Sequence, residues 1–302
     1  TGTGTVAFIV ACTPYMIART AAEERIFAFS IRAVIDGMFA FLGSLIGGLA
    51  PRVIAAIAGD ATTNPAPFQA ALSIAPVVLL CMCFILMRMG RDDDRPVRDP
   101  QDNVVASGDR AMATRSILLR IFLVSFVWMI ARSGFGVLRS FLNVFLETGL
   151  AITPSGIGVI IGVSHLGGMA GAFLLPFLTK RYGLRQAIAF FMLCTAAGVL
   201  LIAFSSGAGI AAVGIFIGRT AFSMFFSSYL LFSQTVVPSY LRSRASGILY
   251  LAAGIGLSVA AVGGGVLIAE TSFGLLFSIG AALLVVSGAT LFLTKLGDSH
   301  TS

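Results

Sequence analysis

Residues 186–218 read QAIAFFMLCTAAGVLLIAFSSGAGIAAVGIFIG, a run of 33 positions without one Asp, Glu, Lys or Arg. A helix needs roughly 20 apolar residues, at about 1.5 Å each, to cross a hydrocarbon core about 30 Å thick. The run is too long for one crossing and suits two, broken where Ser205-Ser206-Gly207 gathers turn-forming residues. No alternation of apolar and polar residues with period two runs through it, which sets aside a membrane strand. Two helices joined by a tight turn inside the bilayer make this an all-α polytopic membrane protein.

The same ruler applied outward gives nine segments, at about 5–18, 27–50, 67–89, 117–146, 155–178, 186–206, 209–237, 246–269 and 273–294. Composition agrees. Of 302 residues 57% are hydrophobic and 11% charged, where a soluble domain carries about 25% charged residues. The 34 glycines suit helices packed closely in lipid. A net charge of +7 raises nucleic acid as a partner, but the basic residues lie between apolar segments rather than on one face, which excludes it. Cys12, Cys81, Cys83 and Cys194 sit in apolar stretches as small hydrophobes, with neither metal-ligand spacing nor a disulfide framework. No Walker loop, metal-spaced His/Cys group or paired carboxylates are found, so neither an enzyme nor a cofactor is expected.

Alternate connections should share a side of the membrane. One set holds Arg19, Arg25 and Arg32, the arginines from Arg88 to Arg120, Lys180, Arg181 and Arg185, Arg242 and Arg244, and Lys295; the other holds only Arg52. The basic set marks the cytoplasmic side. The membrane itself is expected to be the plasma (inner) membrane. Residues 91–116, opening Arg91-Asp92-Asp93-Asp94-Arg95-Pro96, form the long hydrophilic stretch and read as a flexible cytoplasmic linker. They separate a three-segment unit, 1–90, from a six-segment unit, 117–296. Six helices after such a linker suit one half of a two-bundle transporter. Three before it imply missing N-terminal helices of the same protein, and the chain alone is then expected to carry no saturable flux.

Ionisable groups at membrane depth are costly and therefore candidates for function. At about 100° per residue, Ser125, Arg132, Arg139 and Asn143 fall on one face of the fourth segment, as beside an aqueous cavity. Arg219, Ser223, Ser227 and Gln234 share a side of the seventh. Arg132 has an ion pair between helices as its alternative, Arg139 a snorkelling position at the interface, and the serines bonds back to their own helix. Asp36 is the acid deep in an apolar segment; Arg32, one turn earlier, makes an i,i+4 pair its first reading and proton coupling its second. His165, near the centre of the fifth segment, is either a titrating group or a packed histidine. The pairs Gly43/Gly47, Gly158/Gly162 and Gly167/Gly171 read as close helix contacts.

Pro176-Phe177-Leu178-Thr179-Lys180-Arg181-Tyr182-Gly183-Leu184-Arg185 resembles the G-x-L-x-D-R-x-G-R-R loop of the major facilitator superfamily, matching at Leu178, Arg181, Gly183 and Arg185. Pro176, Lys180 and Leu184 stand where that loop has glycine, aspartate and arginine. Glu23 to Ser30 with Gly43 to Pro51 is similar to the family's fourth loop and fifth helix, and Val237 to Gly247 to its connection between helices ten and eleven. The resemblance places the chain in register with helices four to twelve of a twelve-helix fold. It implies alternating access by two bundles, a cytoplasmic gating loop at Lys180, Arg181, Gly183 and Arg185, and stripes on helices that border the central cavity. The partners that follow are the lipid bilayer and a small-molecule substrate. Arg132 and Arg219 without matching acids leave two options open: an anionic substrate, or carboxylates upstream that support proton coupling. A transport-inactive receptor or assembly partner of the same fold is the alternative function.

Overall fold

A computed structural model of the chain describes residues 12–13, 15–17, 19–21, 24–58, 65–88, 110–238 and 241–294. Among them are eight α-helices: α1 (Arg25–Ala58), α2 (Pro65–Arg88), α3 (Arg110–Val144), α4 (Pro154–Tyr182), α5 (Leu184–Ala203), α6 (Ala208–Thr235), α7 (Arg242–Glu270) and α8 (Phe273–Leu293). No strand occurs among the described residues. Among the described residues seven of the helices are long and apolar enough to cross a membrane; α2 contributes a shorter apolar stretch, Pro76–Ile85. The eight expected segments from 27–50 onward each correspond to one helix. The first, 5–18, lies mostly outside the described residues, although Ile17 from it is buried in a cluster with Phe29 of α1.

Local chemistry sets the helix ends. The break expected at Ser205-Ser206-Gly207 falls between α5 and α6, where Ser205 Oγ donates to the Ile202 carbonyl at 2.8 Å. Thr153 and Ser272 cap α4 and α8, their hydroxyls accepting from the Gly156 and Leu275 amides, and Pro154 opens α4. One boundary differs from expectation. The first seven residues of α3, Arg110 to Ser116, were expected in the linker; rich in Ala, Met and Arg, they favour helix and carry α3 past its apolar part. Residues 91–109 of the linker lie outside the described residues.

The helix α4 stops at Gly183, whose φ of +81° and ψ of 151° belong to a region essentially reserved for glycine. Its amide donates to the Thr179 carbonyl, and Lys180 and Arg181 occupy the last turn, where cations meet the negative end of the helix dipole. Replacing Gly183 by Ala is expected to lower stability by about 1–3 kcal/mol, read as a lower melting temperature; an unchanged melt would mean the turn relaxes without strain.

Packing follows the small residues. α5 lies against α6 and α8, α3 against α7 and α8, α4 against α6, and α1 runs along α4, with α2 against α1. Gly198 of α5 meets Gly214 and Gly218 of α6 backbone to backbone, and Gly134 of α3 meets Gly280 of α8. Gly167 and Gly171 of α4 seat Phe216, Thr220 and Met224 of α6, and Gly162 lies against Phe41. Gly43 and Gly47 depart from the expected contact and face open space; Ser44 and Gly48 share the face that meets Gly158. Two side chains also tie helices across the core. Tyr229 of α6 donates to the Val124 carbonyl of α3 at 2.6 Å, and Ser287 of α8 to the Val127 carbonyl at 2.9 Å. Trp128, stacked on Tyr229 with centroids 4.8 Å apart, fills the space between.

Candidate functional site

Between α1, α3, α4 and α6 a cavity of about 400 Å³ remains. The small residues of α4 let α6 approach closely, and that approach brings His165 of α4 to Arg219 of α6. Arg219 Nη2 lies 3.0 Å from His165 Nε2. A guanidinium only donates, so His165 accepts here and, when neutral, carries its proton on Nδ1. The pair joins residues 54 apart in sequence, and no helical stripe foretells it.

Six of the residues singled out in the sequence line this cavity: Asp36 from α1, Arg139 from α3, His165 from α4, and Arg219, Ser223 and Ser227 from α6. Arg32 lines it too, with Nε 3.7 Å from an Asp36 carboxylate oxygen; the Asp36 side chain is 70% exposed toward the open space. Among the described residues no other carboxylate lies within ion-pair distance of a cavity arginine. The rest of the wall is largely aromatic, from Phe29, Phe135, Phe222 and Phe226, with Phe135 and Phe222 stacked 3.5 Å apart.

Two expected site residues lie elsewhere. Arg132 is 9% exposed and sits behind the wall, its guanidinium 5.9, 5.7 and 5.8 Å from the ring centres of Trp128, Phe222 and Phe226. Gln234 is 1% exposed at the end of α6, where its side-chain amide nitrogen donates to Ser246 Oγ at 2.9 Å and Arg242 Nε donates to its backbone carbonyl. It fastens the α6–α7 turn, about 22 Å along the helix from Arg219 at 1.5 Å per residue. Asn143 opens instead onto a second cavity of about 450 Å³ with Ser44, Thr153 and Ser155, farther along the α1–α4 seam.

The aromatic wall was missed in the sequence. Its signal was present: Phe135 stands four residues before Arg139, and Phe222 and Phe226 stand three and seven after Arg219, so all share a face with a cation. In a membrane helix phenylalanine reads as lipid-facing, which hides such a pattern. Among the described residues no group of His, Cys, Asp and Glu could hold a metal ion.

Residues 1–248 match a sequence model described as the Major Facilitator Superfamily. No curated protein matches the chain. Among solved structures it is similar to one titled as a crystal structure of a Major Facilitator Superfamily transporter, FucP, in the outward conformation, with 14% identity and a TM-score of 0.60. That likeness covers 94% of this chain and 71% of the other.

Proposed function

The chain belongs to the major facilitator superfamily, and from that membership we propose that it is a secondary transporter moving a small solute through the cavity beneath α1. One observation carries the reading: ionisable side chains from four helices converge on an open space at the seam between α1 and the helices α3, α4 and α6. Charges at membrane depth are expensive, and where they occur they mark substrate or ion pathways. The seam divides a unit of residues 1–90, which contains α1 and α2, from a unit of 117–296 holding most of α3 and all of α4–α8. The linker 91–116 joins them. Rocking of the two units about the seam exposes the cavity to one side and then the other, and Lys180, Arg181, Gly183 and Arg185 gate its cytoplasmic end. A proton-coupled cycle would use Asp36, the cavity carboxylate, which already faces Arg32 at 3.7 Å.

Filling the cavity tests this. Ala33, on its wall, replaced by Trp in the intact protein should abolish saturable uptake into proteoliposomes while the protein still purifies as a folded species. Unchanged flux would remove the cavity from the pathway. Ligand binding without flux in the wild type would favour the transport-inactive alternative. Orientation in the plasma (inner) membrane has its own check. Single cysteines in 91–116 and in Lys180–Arg185, in a cysteine-free background, should resist impermeant thiol reagents in intact cells; labelling of both from outside would reverse the topology.

A further inference from the structure

Resting on the cavity as the transport site, we infer that its solute is a small organic anion, with its negative group between Arg139 and Arg219 and an apolar body against the phenylalanines. Three cavity arginines face one carboxylate, and Asp36 is already placed on Arg32. Arg139 and Arg219 have no carboxylate within ion-pair distance among the described residues, and the Arg139 charge repels both Arg219 and Arg132. A positive solute would add to that repulsion. An uncharged one would leave it standing.

Donor chemistry points the same way. Arg219 gives one nitrogen to His165, and its Nε is buried without a partner. His165 is a positioning residue: it occupies one end of the guanidinium and fixes the direction of the remaining donors. A carboxylate can take two parallel bonds from such a fork, whereas a hydroxyl or amide oxygen offers a weaker, uncharged acceptor. Ser223, facing Gly168 across the α4–α6 contact, adds a hydroxyl on the same face. Beside these donors the lining carries Phe29, Phe135 and Phe226 and so suits an apolar body over a polyol. Inorganic anions would neutralise the charge but leave that wall facing water.

The test uses the intact, cysteine-free protein carrying Ala40→Cys, a position on the cavity wall, in proteoliposomes. The probes are benzoate and cyclohexanecarboxylate, their uncharged amides, benzylamine, and inorganic phosphate. The expected result is saturable flux of the carboxylates, little of the others, and its loss when a bulky thiol reagent modifies position 40. Arg219→Gln and Arg139→Gln should each cut carboxylate flux by roughly 10–100-fold, the loss of a charged hydrogen bond. His165→Gln, which keeps an acceptor, should retain more flux than His165→Leu and a lower KM. Amide or amine flux blocked by the reagent would overturn the anion assignment and leave the cavity reading standing. Carboxylate flux that the reagent does not block would overturn both. Carboxylates that neither move nor raise the melting temperature, or that are indifferent to both arginine substitutions, would also overturn the assignment and place the neutralising charges elsewhere in the chain.

Discussion

Gly198→Leu should yield no folded protein, and Gly198→Ala should yield a visibly weakened one. At this crossing α5 and α6 touch through backbone. A Cβ built on Gly198 meets the amide nitrogen of Gly218, with Gly218 Cα at 2.6 Å and the Gly214 carbonyl at 2.8 Å. None of these is the end of a flexible side chain, so the helices must part. Overpacking a close contact typically costs about 1–3 kcal/mol and occasionally more, and a leucine adds several heavy atoms where one already fails to fit. The Ala variant should also lose flux, because Gly218 immediately precedes Arg219 and a shifted α6 carries that arginine away from His165. Gly209→Ala, in the first turn of α6 with nothing within 4 Å of the new carbon, is the control and should leave the melt unchanged or slightly raised. Size-exclusion profiles and thermal melts of the detergent-solubilised variants decide the matter. A Gly198→Leu protein that elutes and melts like the wild type would show that α5 and α6 do not meet through these glycines.

Length and hydropathy made the helices legible because the bilayer imposes a fixed span, and backbone polar groups in lipid must be satisfied within each segment. The Ser205–Gly207 break is an example: the ruler demanded a turn within the run, the turn-forming residues placed it, and α5 and α6 separate at that point. Stripes were informative about direction but not about depth or neighbours. Arg219, Ser223 and Gln234 share a side of α6, yet the first two line the cavity and the third lies at the helix end bonded to Ser246. Arg132 and Arg139 are seven residues apart on one face, yet two rings from α6 stand between Arg132 and the cavity that Arg139 lines. A helical wheel carries no information about the other helix. The same reason hid the His165–Arg219 bond and left Gly48, rather than Gly47, to meet Gly158.

Arg132→Met is expected to raise the melting temperature of the intact protein while lowering its saturable flux. The guanidinium is almost wholly buried, has no carboxylate within ion-pair distance among the described residues, and keeps a buried Nε without a partner. Three rings surround it at 5.7–5.9 Å, and a desolvated contact of this kind stabilises by about 2 kcal/mol. Taking the charge out of water costs several kcal/mol, so the rings offset only part of the penalty. Methionine fills a similar space without a charge, and replacing buried ionic groups by apolar ones of similar volume can stabilise by roughly 1–4 kcal/mol. Phe222 and Phe226 turn one side to Arg132 and line the cavity as well, so the arginine sets the wall the solute meets. Losing it should therefore reach transport even though Arg132 does not line the cavity. The sign of the melt is the test. Had the cation a buried acidic partner outside the described residues, removing it would strand that acid and destabilise by about 3–5 kcal/mol. A fall in melting temperature for Arg132→Met would overturn the expected sign, and an acid-to-amide scan of the remaining carboxylates would then reveal such a partner as the substitution that restores the melt.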